Sequence, residues 1–153
     1  MKRRIISLLI AICIALSIMI PVASAEENCF AFDTVYFEDG SYMLIDIQEQ
    51  SARATNSKSG NKVYSYYSND DELLWKVILR GSFTYNGTTS SCTSSSVSID
   101  VVDDSWYVVS NSADKTGSEA SAVATMGKKL LGITINKIKV ELTLSCDKNG
   151  VLS

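Results

Sequence analysis

The chain has 153 residues with 14 basic and 17 acidic side chains and no histidine. Without imidazole there is no Ser-His-Asp or Cys-His nucleophilic machinery and no zinc site built on histidine, so most hydrolase mechanisms are excluded at once. The length suits one domain behind a short leader, and the acid excess argues against nucleic acid or an anionic membrane surface as partner, since both select a basic face.

Lys2, Arg3 and Arg4 precede an apolar run over residues 5–22, and Ala23-Ser24-Ala25 places small residues at the −3 and −1 positions of a cleavage site. This pattern predicts a signal-peptide helix over residues 1–25, cut after Ala25, and a secreted extracellular protein that starts at Glu26. The run is long enough for an uncleaved anchor, but Pro21 and the Ala-Ser-Ala site favour cleavage. Cys13 follows Ile12 inside the run and Cys29 follows polar Asn28, so neither suits lipidation. Cleavage would remove three basic residues and no acidic one, leaving eleven against seventeen and a net charge of −6. No later segment is apolar for long enough to cross a membrane, so no stable insertion is expected after cleavage.

Residues 30–37 and 41–47 are β-rich runs around Glu38-Asp39-Gly40, and Asp-Gly between such runs signals a hairpin. An N-terminal hairpin is therefore expected over 26–48. The Ser, Thr, Asn and Gly content of residues 49–61 predicts a polar linker, with the main domain over 62–153. In that domain Trp75, Val77, Leu79, Gly81, Phe83 and Tyr85 alternate with wetter residues, and Asn86-Gly87 turns the strand back toward Cys92. Val97, Ile99 and Val101 form another alternating set whose parity does not match Cys92, which requires either a bulge or a separate short strand.

Asp103-Asp104-Ser105 leads into a strand over 106–110, and residues 114–117 read as a loop. Ala120, Ala122, Ala124 and Met126 alternate as in a strand, with a short helix as the competing reading because alanine favours helices. A final run places Thr134, Asn136, Ile138, Val140, Leu142, Leu144 and Cys146 on one face. Strands at this spacing predict an all-β antiparallel sandwich of immunoglobulin-like architecture, or a partly closed barrel. Cys92 and Cys146 lie in strand-like sequence of the same region and are expected to form a disulfide, with Cys29 left over near the new N-terminus.

The order Lys58-Ser59-Gly60-Asn61-Lys62, Leu74-Trp75-Lys76-Val77, Gly81-Ser82-Phe83-Thr84-Tyr85-Asn86-Gly87-Thr88, Cys92, Trp106 and Leu142-Thr143-Leu144-Ser145-Cys146 before Asn149-Gly150 resembles a family of small secreted proteins of Gram-positive anaerobes. The resemblance covers roughly residues 58–153. It implies export and supports the Cys92–Cys146 pair, and it implies no activity.

Two acidic clusters are candidate calcium ligands: Asp70, Asp71 and Glu72 in one turn, and Asp100, Asp103 and Asp104 around another. Neither has a diagnostic spacing, and solvated turn residues produce the same pattern. No cofactor is expected. The aromatics Tyr64, Tyr66, Tyr67, Trp106 and Tyr107 are candidates for a sugar-stacking or protein-contact surface, because neighbours along a strand point to opposite faces. Asn86-Gly87-Thr88 matches a glycosylation acceptor but reads better as turn chemistry. These features predict a non-enzymatic secreted protein that binds an envelope component, a glycan or a protein. A secreted antimicrobial or competition factor is the second reading, and a carboxylate-dependent glycosidase the third.

Overall fold

The computed structural model describes residues 33–50 and 56–153, and every regular element among them is a β-strand. These are β1 (Asp33–Tyr36), β2 (Tyr42–Gln50), β3 (Ser57–Tyr67), β4 (Leu73–Tyr85), β5 (Ser90–Val101), β6 (Trp106–Thr116), β7 (Glu119–Leu130) and β8 (Ile133–Ser145). All pairings are antiparallel, and they build a five-stranded sheet in the order β1-β2-β3-β4-β5 and a three-stranded sheet in the order β6-β7-β8. Within each sheet every strand lies beside its neighbour in sequence, so the sheets are meanders without a Greek-key crossover among the described residues. They remain two sheets and do not close into a barrel. The leader and Cys29 lie outside the described residues.

One core joins the sheets. Trp75, Val77, Leu79 and Phe83 alternate along β4 and are essentially inaccessible to solvent, as are Ala120, Ala124 and Met126 on β7 and Leu142 and Leu144 on β8. Each large aliphatic or aromatic side chain buried this way contributes about 1.5–3 kcal/mol. The alanines of β7 are a strand because alternation turns them into the same buried cluster as the large side chains of β4. The burial return outweighs their intrinsic helix preference.

A bulge settles the parity of Cys92. Ser82 pairs with Ser94 and Phe83 with Cys92, so Thr93 is the extra residue and Cys92 returns to the buried face.

Three expectations are corrected. The linker expected over 49–61 is strand at both of its described ends: Glu49 and Gln50 end β2, Ser57–Tyr67 is β3, and the two strands pair from Tyr42↔Tyr67 to Gln50↔Ser59, while residues 51–55 lie outside the described residues. Polar composition misleads there because cross-strand polar pairs hold strands as well as apolar ones do. Lys58 pairs with Glu49 at 2.5 Å, and Ser59 Oγ donates to Ser82 Oγ at 3.0 Å. Gly60 has a steric role, since a Cβ there would collide with Leu152 Cδ1. Residues 114–117 are not a loop, because β6 runs to Thr116 and turns only at Gly117-Ser118.

The third correction concerns the thiols. Cys92 and Cys146 are buried free cysteines, not a disulfide. They flank one turn, with Cys92 N–H donating to Gly117 O at 2.7 Å and Cys146 N–H to Ser118 O at 3.1 Å. Each sulfur nevertheless donates to a carbonyl close by in its own segment, Cys92 Sγ to Ser94 O at 3.3 Å and Cys146 Sγ to Asp147 O at 3.5 Å.

Alternate connections lie at opposite ends of the molecule. The turns at 37–41, 68–72, 102–105 and 131–132 share one end, where Asp103 N–H donates to Leu74 O at 3.1 Å and Lys129 N–H to Ser105 O at 2.7 Å.

Candidate binding site

The end bearing these four turns carries the chemistry. Tyr36, Tyr42 and Tyr67 stand in one rung across β1, β2 and β3, since Tyr36 pairs with Tyr42 and Tyr42 with Tyr67. The rings of Tyr42 and Tyr67 stack nearly parallel, 7° apart with centroids 5.0 Å from each other. Tyr36 continues the pile at 5.9 Å with a 41° tilt and remains 75% exposed. Offset aromatic pairs of this kind contribute about 0.5–1.5 kcal/mol beyond their area burial. The stack therefore supports itself and leaves its outer member accessible.

Hydrogen bonds set the stack's orientation. Tyr42 Oη donates to Asp71 Oδ1 at 3.0 Å. Desolvation within the stack and this bond to Asp71 both push the Tyr42 hydroxyl above the ordinary tyrosine range. Asp71 is held in turn by its loop, in which Ser68 Oγ accepts from the N–H groups of Asp70 and Glu72, each at 3.2 Å.

The opposite face of the same strands is the closed end of the core. Tyr66 packs against Trp75 at 4.9 Å and Trp106 at 5.5 Å, and its hydroxyl lies 2.7 Å from Ser41 Oγ. Ser41 is buried and also bonds Asp39 through both its hydroxyl and its N–H. These bonds from Ser41, side chain first, hold the Asp39 carboxyl below the usual range. A narrow cleft opens here between Asp39, Ser41, Tyr66, Trp106, Lys128 and Asn136.

No family model, no curated protein and no solved structure matches the chain.

The five aromatics singled out from the sequence separate into different environments. Tyr66 and Trp106 are core residues, exposed by 3% and 5%, and offer almost no ring surface for a ligand to stack on. Tyr64 is half-buried beside them, and burial raises its hydroxyl pKa. Tyr67 belongs to the exposed stack. Tyr107 lies on the outer face of the smaller sheet, over Gly127, where a Cβ would strike its ring. Its hydroxyl is 2.6 Å from Thr134 Oγ1, and Lys129 Nζ sits 4.2 Å from its ring centre.

The six acidic candidates do not converge. Among the described residues no three His, Cys, Asp or Glu side chains are grouped to hold a metal ion. Asp103 caps its own turn by accepting from Ser105 N–H at 2.7 Å and from the Ser105 hydroxyl, which together lower its pKa. Asp100 lies opposite Lys76 in the β4–β5 ladder, and Asp104 follows Asp103 in the turn. Asn86 is also a turn residue, its Oδ1 accepting from Thr88 N–H at 2.9 Å and Thr89 N–H at 2.8 Å.

Sequence reasoning missed Tyr36 and Tyr42. The available signal was their symmetric placement about Glu38-Asp39-Gly40: once the hairpin is accepted, equal spacing from the turn makes them cross-strand partners.

Proposed function

We propose that this is an exported, non-catalytic β-sandwich module that binds an envelope glycan through the tyrosine stack. The observation that carries the reading is the Tyr36–Tyr42–Tyr67 rung, in which an aromatic pile ends in a ring that is 75% exposed. An apolar sugar face stacked on Tyr36 would extend the pile. Folding alone gives little reason to leave an aromatic so accessible at a sheet edge. Phenolic hydroxyls and the acidic turn that orients Tyr42 supply polar partners for sugar hydroxyls. Export rests on the leader pattern of residues 1–25.

Sedimentation of the exported protein with purified Gram-positive cell-wall glycan tests the proposal. Tyr36→Ala should weaken binding about tenfold, in line with aromatic anchors elsewhere, while the melting temperature stays the same. Equal binding by Tyr36→Ala and the unaltered protein would exclude the stack as the site.

A further inference from the structure

Beyond the tyrosine stack, the hairpin joining β7 to β8 has a tip that folding does not explain. Leu130, Leu131, Ile133 and Ile135 are 59%, 95%, 69% and 54% exposed. Leu131 and Gly132 form the two-residue turn with φ values of 50° and 81°, so both occupy the left-handed region. That geometry favours Asn-Gly or Asp-Gly, the dipeptide used at 86–87, and it penalises a bulky Cβ. A leucine here strains the turn and gains almost no packing in return. Residues held against local preference in this way mark functional positions.

The charge around the tip has one sign. Lys128 and Lys129 precede the apolar residues and Lys137 and Lys139 follow them, and residues 120–140 contain no acidic side chain. The segment is thus strongly basic inside an acidic chain. Lys139 is engaged by Glu141 at 2.6 Å, and Lys128 lies 5.9 Å from the Trp106 ring and acts electrostatically on Asp39 and Asp103. Lys129, resting on the Tyr107 ring, and Lys137, opposite Gly127, form the outward collar. At about 3.3 Å per residue Lys129 lies roughly 7 Å behind Leu131, and Lys137, level with Gly127, roughly 13 Å behind it.

We propose that this hairpin tip docks on an anionic lipid bilayer, with Leu130, Leu131, Ile133 and Ile135 entering the acyl boundary and Lys129 and Lys137 meeting lipid phosphates. The depth of Lys129 matches the roughly 5–10 Å to which interfacial elements bury their apolar face, and Lys137 stands one step farther back, toward the outer headgroup layer. Tyr107, level with Lys129, sits where aromatic side chains collect at a membrane interface. A convex apolar finger suits a fluid surface that closes around it, whereas a protein partner would have to supply a matching groove. The acidic turns at 38–39, 70–72 and 103–104 share this end, so the tip must insert while the body stays off the surface. Docking is therefore predicted to be reversible and salt-sensitive.

Flotation of the exported protein with phosphatidylglycerol vesicles and with phosphatidylcholine vesicles tests the docking. Binding should favour the anionic vesicles at least about tenfold at low ionic strength and fall as salt rises. Leu131→Asn should weaken it about tenfold while leaving the melting temperature equal or higher, because asparagine enters the left-handed region more readily. Lys129→Gln with Lys137→Gln should remove the preference for anionic lipid. Val151→Asn, an exposed apolar site at the opposite end, should bind like the unaltered protein. Equal affinity for both vesicles, no binding to either, or unchanged binding by Leu131→Asn would each overturn the proposal. So would binding to lipid-free teichoic acid with none to vesicles.

Discussion

β4, which lies between β3 and β5 in the larger sheet, and β7, the central strand of the smaller one, fill the same interface in opposite ways. β4 presents Trp75, Val77, Leu79 and Phe83, whereas β7 presents Ala120, Ala122 and Ala124 before ending in Met126. Gly81 extends the complementarity, since a Cβ there would meet the Phe83 ring and the Ala120 methyl. One sheet supplies volume and the other supplies room, so the sheets approach closely without bulky residues on both. Substitutions on the two strands should therefore fail for opposite reasons, cavities on β4 and crowding on β7.

The largest effect should come from Leu79→Ala, which deletes a fully buried side chain from the centre of the core and should cost about 2–5 kcal/mol. Urea denaturation measures this, and a loss below about 1 kcal/mol would show that the sheets collapse to fill the gap. Ala122→Leu is the reciprocal change. It adds volume where β7 has none to spare and should cost about 1–3 kcal/mol, with a lowered melting temperature. If it stabilised the fold, β7 would be small for some reason other than the volume of β4.

Two further predictions concern groups at the margins of this interface. Burial raises the pKa of both Cys92 and Cys146, and neighbouring Asp147 raises that of Cys146 further. Both thiols should resist iodoacetamide in the native state near pH 8 and react once the chain is unfolded in urea. The sign for stability follows: protonated thiols favour the fold, and stability falls as pH rises past the ordinary thiol range of about 8.5. The smallest effect concerns Asp39, whose lowered pKa means that its charged form favours the fold. Its contribution is present above about pH 4 and is lost as pH falls through its native value. Asp39→Asn keeps an acceptor for Ser41 and should flatten the acid limb of a melting-temperature profile while leaving the value at pH 7 nearly unchanged. An acid limb identical to that of the unaltered protein would place the titration elsewhere.

Alternation was the most legible signal. It located the buried faces of β4, β7 and the end of β8, because a period of two in a half-buried strand leaves little choice of facing. It also identified a discontinuity before Val97, which proved to be the bulge at Thr93. Polar strands were illegible for the same reason. The first half of β3 and the far end of β6 from Asp114 have no alternating apolar stripe, so composition gave linker or loop where the backbone continues its ladder. Register was the other hidden quantity. Tyr36, Tyr42 and Tyr67 are separated in sequence and become one surface only when three strands align, and no single segment signals that alignment.

The meander order also dictates how the chain assembles during synthesis. β1 to β5 precede every residue of β6, so the larger sheet can zip together from successive hairpins before its partner exists. Until Trp106 and the alanine strand arrive, the faces of Trp75, Val77, Leu79 and Phe83 stand open to water and to other chains. A half-made molecule is thus a sticky one, and the interval between translating residue 101 and residue 126 is when it depends most on a chaperone or on keeping the first sheet unformed.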